Sequence, residues 1–415
     1  MIRQELVDHS SSSALEMNCS VTSPRDGRGS RCGPRALPVI GNLLQMPKNH
    51  EWKTFAEWAK TYGDCVYVHI LGQPIILLNS LSVAHDLLNQ RSAIYSSRPR
   101  LVMAGELIGF AQAVGLMPYS PRFLSLRRLM HKELNGSMLQ RYWPLHEEES
   151  RLLVEKAVQD PSLLQESIRH YAGSVILRVT YGYRTAPQND KFLLLAEKVM
   201  AAFSLASQPG AWAVDILPRW PQSLPFFLAM ALYPEVQSAA QAEVDRVVTA
   251  GRLPQLSDRP NLPYVECVMR EVLRWNPVAP LGLPHLLNND GIYGDYHLTA
   301  GSIVMANVWS ILQDPAVFPD PRQFRPERFM NDKRALDVAT CIFGFGRRSC
   351  PGVHFAEASM FIAIATALSQ CTIFNPTNSR GEAISRYSNI EYRTGTISHP
   401  PKYRCDINPR TMLNF

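Results

Sequence analysis

Hydrophobic and polar positions along the chain predict a mostly helical protein with a small β portion. Residues 50–62 and most of residues 80–275 carry apolar positions at helical spacing. Residues 66–70 and 74–78 are short apolar runs, separated by three residues that include a glycine, which predicts a β-hairpin. Strand-like pieces return at residues 291–305. The β portion is therefore drawn from distant parts of the chain, which favours one domain over several.

The C-terminal part of the chain predicts a buried helix between irregular segments. Residues 314–350 are rich in proline and are expected to form loops. Residues 353–370 are apolar nearly all round, as in a fully buried helix, and residues 371–415 predict strands and turns. Residues 1–32 are polar and predict a disordered tail. We therefore expect a single domain over residues 33–415.

Composition and charge narrow the class of protein. Hydrophobic residues make up 46% of the chain and charged residues 19%, which suits a globular protein with a substantial core. The net charge of +6 suits an acidic protein partner or an anionic membrane face. No basic run is interleaved with aromatic residues, so nucleic-acid binding is not expected. The eight cysteines include no C-x-x-C pair, which disfavours a zinc finger.

The run from Phe343 to Gly352 carries the strongest chemical signal in the chain. Cys350 is followed by Pro351, a residue favoured at the first position of a helix. A cysteine at a helix N-terminus is shifted towards its thiolate form. A thiolate is a strong axial ligand for haem iron. A buried structural cysteine is the commoner interpretation of an isolated cysteine, but it does not account for the whole run.

The rest of this run suits the same chemistry. Gly346 and Gly352 would let the backbone approach a flat macrocycle closely, and Arg348 offers a cation for a haem propionate. The run resembles the haem-binding signature of the cytochrome P-450 superfamily, F-x-x-G-x-R-x-C-x-G, with every fixed position present. The resemblance implies that Cys350 ligates the iron of haem b and that Phe343 packs near the thiolate.

The resemblance also implies a fold and an activity. The fold would be mainly α with a small β portion, and the protein would be a haem-thiolate monooxygenase. Such an enzyme inserts one atom of dioxygen into a lipophilic small molecule, with electrons from an NADPH-dependent cytochrome reductase. Residues 274–285 are similar to fungal members of secondary metabolism. The expected location is the cytosolic face of the endoplasmic reticulum membrane. The family's N-terminal anchor is not seen, so a cytoplasmic or peripheral location is the alternative.

Two separated motifs supply a predicted charge cluster. Glu271 and Arg274 form E-x-x-R in an amphipathic stretch, so they share a helix face and can pair. Such a pair alone is usually a solvated surface pair. In the family the pair joins an arginine of a later P-E-R-F segment, here Arg328. The resemblance gives these residues a structural role, a buried and mutually satisfied triad that locks the loop presenting Cys350.

Two further residues are candidate propionate ligands by resemblance. His285 ends Leu283-Pro284-His285, which is similar to the family's strand segment after the E-x-x-R helix. Arg127 ends F-L-S-L-R, at the place of the family's W-x-x-x-R. Phe123 departs from that pattern because it has no indole N–H. The alternatives are an ordinary polar residue for His285 and a basic exposed face around Arg127.

The family's oxygen-activating motif, [AG]-G-x-[DE]-T on a long central helix, is missing. Residues 226–235 resemble the end of that helix, but residues 214–223 resemble a much earlier loop. We therefore expect an internal deletion near residues 218–226, incomplete helices on the distal side of the haem, and no identifiable catalytic acid–threonine pair. A haem-binding pseudoenzyme or truncated gene product without coupled turnover is the alternative function. A non-haem protein that retains the motifs is a third.

Overall fold

The computed structural model describes most of the chain: residues 32–206, 225–248, 251–294, 296–330, 335–385 and 403–410, with residues 392, 396–398 and 400–401. The predicted tail, apart from Cys32, and the predicted deletion point up to residue 224 lie outside these residues. The described chain is mainly α with a small β portion, as expected from the pattern of apolar positions.

The elements follow one another in the order that the sequence pattern indicates. The α-helices are α1 (Glu51–Tyr62), α2 (Leu81–Ala84), α3 (Ser92–Tyr95), α4 (Pro121–Leu134), α5 (Gly136–Leu139), α6 (Trp143–Gln159), α7 (Leu164–Tyr181), α8 (Lys191–Ala206), α9 (Pro225–Leu232), α10 (Pro234–Val247), α11 (Pro263–Trp275), α12 (Val308–Leu312), α13 (Ala335–Ile342) and α14 (Val353–Gln370). The strands are β1 (Cys65–Ile70), β2 (Gln73–Leu78), β3 (His285–Leu286), β4 (Gly291–Tyr293), β5 (Tyr296–Leu298), β6 (Ile303–Ala306), β7 (Cys371–Asn378) and β8 (Tyr403–Pro409). Single π-helical and 3-10 turns join them, including His85–Gln90, Val102–Leu107, Pro326–Phe329 and Gly346–Arg348.

The largest sheet joins distant parts of the chain. Its strand order is β1-β2-β6-β3, with β2 and β6 parallel and the other neighbours antiparallel. Leu71 and Gly72, with φ of 49° and 82°, form the turn between β1 and β2. Positive φ at both positions matches the turn that twisted hairpins prefer. The predicted hairpin, and the exchange of strands between distant segments, are therefore confirmed.

Helix α14 lies at the centre of the larger hydrophobic core. Phe361, Ile362 and Leu368 on this helix are fully buried, and α6, α10 and α11 pack around it. The predicted buried helix over residues 353–370 is confirmed. Its expected start at Pro351 is wrong, because Pro351 and Gly352 form a turn and the helix begins two residues later.

The carboxylate of Glu243 on α10 caps the start of α11. Its oxygens accept hydrogen bonds from the backbone N–H groups of Tyr264 at 2.8 Å and Val265 at 3.0 Å. The first N–H groups of a helix have no partner within it, so a buried helix start requires such acceptors. This contact fixes the position of α11, the helix that carries Glu271 and Arg274.

Two segments differ from, or add to, the sequence prediction. The stretch expected to be loops contains α13, whose Val338 and Cys341 are buried three residues apart on one face. The proline-rich residues before α13 led to the prediction of loops, so this short apolar repeat was not recognised as a helix. Helix α9, Pro225–Leu232, falls in the segment that resembles the end of the family's central helix, and nearly all of its eight residues are buried.

Candidate functional site

Cys350 lies at the end of a tightly folded loop. Its backbone N–H donates to the carbonyl oxygen of Phe343 at 2.6 Å, and the N–H of Ser349 donates to Gly346 at 3.1 Å. The Cys350 side chain is exposed, whereas the other six cysteines of the described residues are buried. Burial raises the pKa of the Cys371 and Cys405 thiols to about 12. Among the described cysteines, Cys350 is therefore the one open to an external ligand.

Gly346 has a different neighbour from the one that the sequence suggested. Its φ is +53°, and an added Cβ would overlap the carbonyl oxygen of Leu88. Its N–H donates to the side chain of Asn89. Only glycine allows this approach of the loop to the π-helical turn that contains Leu88. At Gly352 an added Cβ would lie 3.9 Å from the Cys350 sulfur, an ordinary contact distance.

Arg348 is buried and is held by backbone oxygens. Its guanidinium donates to the carbonyls of Ser96 at 2.6 Å and Met117 at 2.9 Å. Its central carbon lies 3.9 Å from the centre of the Phe123 ring. Burial, with a smaller effect from the charge of Arg127, lowers the pKa of Arg348 to about 10. The ring at position 123 thus contacts the cation directly, although it has no N–H to donate.

Arg98 is a second buried cation, which the sequence did not indicate. It is 6% exposed and donates to the carbonyls of Gly115 at 2.9 Å, Leu283 at 2.8 Å and Pro284 at 2.7 Å. Burial, followed by the charge of Arg348, lowers the pKa of Arg98 to about 9. An arginine followed by a proline matches no functional motif, so the sequence alone did not mark Arg98 as a site residue. Its buried position in the fold does.

His285 lies beside these arginines. It is buried, and its Nδ1 lies 2.8 Å from the carbonyl oxygen of Tyr95. A carbonyl only accepts hydrogen bonds, so Nδ1 carries the proton. Burial, and then the charge of Arg98, lowers the pKa of His285 to about 3, so the imidazole is neutral at neutral pH. Its Nε2 is therefore an acceptor.

Arg127 lies next to the cysteine loop. It is half-buried, and its guanidinium donates to the hydroxyl of Ser349 at 3.3 Å. Burial lowers the pKa of Arg127, and the nearby Cys350 acts in the opposite direction. The basic neighbour Arg128 is exposed, so the two residues face different surroundings.

Arg98, Arg127 and Arg348 form what we call the arginine cluster. Within the described part of the chain, none of the three has a carboxylate within salt-bridge distance. Buried cations without an anion are costly, because burial removes their hydration. Two buried cations, Arg98 and Arg348, and the half-buried Arg127 beside an exposed cysteine suit a ligand with two carboxylates and a metal that binds sulfur. The residues present therefore fit haem, whose propionates supply both negative charges.

The predicted triad is assembled. Arg274 donates to the carboxylate of Glu271 at 2.7 and 2.9 Å, and the Nε of Arg328 lies 3.3 Å from the same carboxylate. The side chains of Glu271 and Arg274 are fully buried, and that of Arg328 is 6% exposed. The triad also binds loop backbone: Glu271 accepts from the N–H of Arg325 at 2.8 Å, and Arg328 donates to the carbonyl of Pro319 at 2.8 Å. It therefore ties α11 to the irregular segment that precedes α13.

A cavity of about 310 Å³ borders the first two turns of α14. Its walls come from α7, α14 and the start of α9, and are almost entirely apolar. They are formed by Ile168, Tyr171, Ala172, Val175, Ile176, Pro225, Val278, Phe355, Ala356, Ser359, Met360, Ile397 and Ser398.

None of the described helices is long and apolar enough to cross a membrane. In the described ranges, no three His, Cys, Asp or Glu side chains are grouped so that they could hold a metal ion. A single cysteine that binds a haem iron does not require such a group.

Comparison with known proteins assigns the family. The sequence model described as Cytochrome P450 matches residues 32–225 and 224–388, in two segments. Cytochrome P450 monooxygenase 105 of Postia placenta is 35% identical over 464 aligned residues, which cover 91% of this chain and 89% of the relative. Cytochrome P450 monooxygenase claR of Ampulloclitocybe clavipes is 33% identical, over 91% of this chain and 86% of the relative. These alignments are longer than the 415-residue chain, so they contain gaps on its side. The chain belongs to the cytochrome P450 family, and the two relatives named above are monooxygenases.

Proposed function

We propose that the chain is a haem b-thiolate monooxygenase that inserts one atom of dioxygen into a lipophilic small molecule of secondary metabolism. One observation supports it above all: Cys350 is exposed beside an arginine cluster that has no carboxylate partner among the described residues. The name of the relative from Ampulloclitocybe clavipes supports the monooxygenase class. The apolar lining of the cavity near α14 supports a lipophilic substrate.

The roles of the residues follow from their contacts. Cys350 would bind the iron, and Arg98, Arg127 and Arg348 would bind the propionates through charge-assisted hydrogen bonds. Bound haem supplies the oxidising chemistry. The backbone carbonyls that hold Arg98 and Arg348 fix both guanidinium groups before the ligand arrives, so little ordering cost remains on binding. Phe343 positions Cys350 through its carbonyl oxygen.

His285 has a narrower role than a cationic propionate ligand. Its neutral imidazole presents only an acceptor at Nε2, so it can bind a carboxyl group only when one of the two carries an extra proton. We assign it to positioning: its Nδ1–H holds the carbonyl of Tyr95, next to the Ser96 carbonyl that binds Arg348.

We further propose an NADPH-dependent cytochrome reductase as the electron donor. Arg122, Arg128 and Lys132 of α4 and Arg347 of the cysteine loop are exposed, and Arg127 of α4 contacts Ser349, so exposed basic side chains lie on the two elements next to Cys350. Such a surface steers an acidic protein partner into place. Dioxygen and the lipophilic substrate are the other reactants.

The proposed location is the cytosolic face of the endoplasmic reticulum membrane. Val39, Leu44 and Leu71 are 76%, 74% and 65% exposed, and the N–H of Leu71 donates to the carbonyl of Ile40 at 3.4 Å. This backbone contact brings Leu71 next to the segment that carries Val39 and Leu44. Exposed apolar side chains at neighbouring positions suit insertion into a membrane interface.

A haem-binding protein without coupled turnover is the second candidate. The absent acid–threonine motif and the split of the family match at residues 224–225 favour it. A turnover assay with reductase separates the two candidates, because both bind haem and only the first forms product.

The ligand assignment is tested by spectroscopy of the reduced, carbon-monoxide-bound protein. Cys350→Ala should abolish the thiolate-type spectrum, because no other described cysteine is open to the haem. Cys341→Ala is the matched control, since Cys341 is buried at 2% exposure in the neighbouring core and should leave the spectrum unchanged. A thiolate-type spectrum that persists in Cys350→Ala would show that the assignment is wrong.

A further inference from the structure

A second cavity, of about 1010 Å³, lies where α1 and α12 meet the C-terminal end of α11 and residues 322–327. Among the residues that the structure describes, its lining shares no side chain with the arginine cluster or with the cavity beside α14. We call it the aromatic pocket, because its walls contain Trp52, Tyr233, Trp275, Trp309 and Phe324. The proposed function makes no use of this pocket.

Three of these rings form one fixed wall. Trp275 and Phe324 lie edge to face with their ring centres 5.5 Å apart, and the ring centre of Tyr233 lies 5.6 Å from that of Phe324. The indole N–H of Trp275 donates to the carbonyl oxygen of Arg322 at 2.9 Å, which fixes the orientation of the largest ring. Rings held in this way can pack against a planar aromatic group at little ordering cost.

Two polar groups of the pocket are buried without a hydrogen-bond partner among the described residues. Asn276 is 5% exposed, and its Nδ2 is one of these groups. The hydroxyl of Tyr392 is the other. Burial raises the pKa of Tyr392, so its hydroxyl keeps the proton and can donate it to a hydrogen bond. Buried groups of this kind are rare in folded proteins, and two in one pocket indicate an acceptor that the chain itself does not supply.

The charged side chains of the lining favour the same kind of ligand. Lys53 is half-buried and Arg322 is exposed, and within the described ranges neither has a carboxylate at salt-bridge distance. The acidic side chains of the lining already interact within the chain. Glu57, for example, pairs with Lys60 at 2.7 Å. The groups of the pocket that lack a partner are therefore hydrogen-bond donors, and two of them are cations.

We propose that the aromatic pocket binds an aromatic carboxylate, with its ring against Trp275 and its carboxylate among the donors Asn276, Lys53 and Arg322. A carboxylate only accepts hydrogen bonds, which matches a set of unsatisfied donors. Charge-assisted hydrogen bonds from the two cations strengthen its binding. A neutral aromatic compound leaves both cations unpaired, so the pocket selects the acid.

The first test compares an aromatic acid with its neutral amide. Equilibrium dialysis measures the binding of 2-naphthoate and of 2-naphthamide to the haem-loaded, full-length protein. Loading with haem occupies the arginine cluster, which would otherwise attract the carboxylate. Naphthoate should bind about tenfold more tightly than the amide, because hydrogen bonds to charged groups are the stronger ones. Equal affinities, or the lack of saturable naphthoate binding, would overturn the proposal.

The second test removes the two cations. Lys53→Gln combined with Arg322→Gln should bring the affinities for naphthoate and naphthamide together. Lys48→Gln is the matched control, because Lys48 is exposed just before α1 and lies outside the lining of the pocket. It should keep the preference for the acid. A preference that persists in the double variant would place the naphthoate elsewhere on the protein and refute the assignment.

Asn276→Leu separates a ligand-binding amide from a structural one. Leucine has a similar volume and leaves no buried polar group, so Tm of the ligand-free protein should be unchanged or higher. The affinity for naphthoate should fall about fivefold, because one donor is lost. A lower Tm with unchanged affinity would give Asn276 a purely structural role and contradict the proposal. The haem spectrum and turnover of each variant are recorded separately, so a failure here is distinct from a failure of the proposed function.

Discussion

Arg98 and Arg348 keep their charge in a place where backbone carbonyls are their hydrogen-bond partners. With pKa values near 9 and 10, both are protonated at neutral pH, so the folded protein buries two cations at a cost in stability. Each carbonyl supplies part of a negative charge, which offsets some of that cost. A bound dianion would offset the rest of that cost. Haem binding is therefore expected to stabilise the folded protein mainly through the arginine cluster.

We predict that Arg98→Met weakens haem binding about tenfold or more, because a charge-assisted hydrogen bond contributes about 1.5–3 kcal/mol. Arg100→Met is the matched control, since Arg100 lies two positions away, is 77% exposed and pairs with Glu106 on the surface. Haem titration followed by absorption measures both affinities. Equal affinities for the two variants would remove Arg98 from the site.

The buried histidines predict how stability changes with pH. Burial lowers the pKa of His285 to about 3 and that of His146 to about 4, from an ordinary value of 6.5. Between the lowered pKa of each histidine and its ordinary value of 6.5, the unfolded chain binds a proton at that histidine and the folded chain does not. The free energy of unfolding of the haem-free protein should therefore fall as pH falls below about 6.5.

His285→Gln should make that fall shallower by up to about 1.4 kcal/mol per pH unit, because it removes one titrating group. Urea denaturation of the haem-free protein at several pH values measures the slope. His297→Gln, at an exposed position, should keep the original slope. An unchanged slope in His285→Gln would contradict the neutral, buried state of this imidazole.

At the scale of the elements, the triad joins a helix to an irregular segment. Glu271 accepts hydrogen bonds from Arg274, Arg328 and the backbone of Arg325, so one carboxylate holds α11 and the segment before α13 together. Its loss leaves Arg274 fully buried without an anion. The cost of such a loss is several times that of breaking a surface pair.

Glu271→Ala should lower the free energy of unfolding by about 3–5 kcal/mol. The control is Glu57→Ala, which breaks an exposed pair with Lys60 and should cost at most about 1 kcal/mol. Urea denaturation compares the two variants with the original protein. A loss below about 1 kcal/mol for Glu271→Ala would show that the triad contributes no more to stability than an exposed ion pair does.

Elements built from clear apolar runs could be predicted, and features that depend on packing could not. Helix α14 follows from a long run that is apolar nearly all round, and the β1–β2 hairpin follows from two short apolar runs on either side of a glycine-containing turn. Helix α13 is short and follows a proline-rich stretch, so its repeat is weak. Arg98 was missed because its significance lies in the carbonyls of Gly115, Leu283 and Pro284, which only folding brings to it. Cys350 and the triad could be predicted because their motifs resemble those of the family, and the resemblance implied that Arg328 joins Glu271 and Arg274.

At the scale of the whole molecule, the cavity bears on how well turnover would be coupled. Haem-thiolate catalysis depends on excluding water from the reacting centre and on controlled proton delivery. The oxygen-activating motif is absent, and the apolar cavity is open at Ile176 and Val278. Reducing equivalents are then expected to escape as reduced oxygen species before substrate is oxidised.

We predict weak or uncoupled turnover for the 415-residue chain even when it binds haem. With reductase and NADPH, it should consume NADPH with far less product than cofactor oxidised, and should release hydrogen peroxide. The chain with the relatives' segment inserted should form product in better proportion. Well-coupled product formation by the 415-residue chain would contradict this view, and would mean that another group delivers the protons.

The parallel pairing of β2 with β6 sets the order of events when the protein folds. Leu78 lies opposite Ala306, and Arg348 donates to Ser96, so both contacts close loops of more than two hundred residues. Contacts between distant residues form slowly, because the entropy of closing the loop is lost before any contact stabilises it. During synthesis, no N-terminal portion of the chain can complete the arginine cluster until residue 348 has left the ribosome. The arginine cluster can therefore receive haem only late in synthesis, once most of the chain has been made.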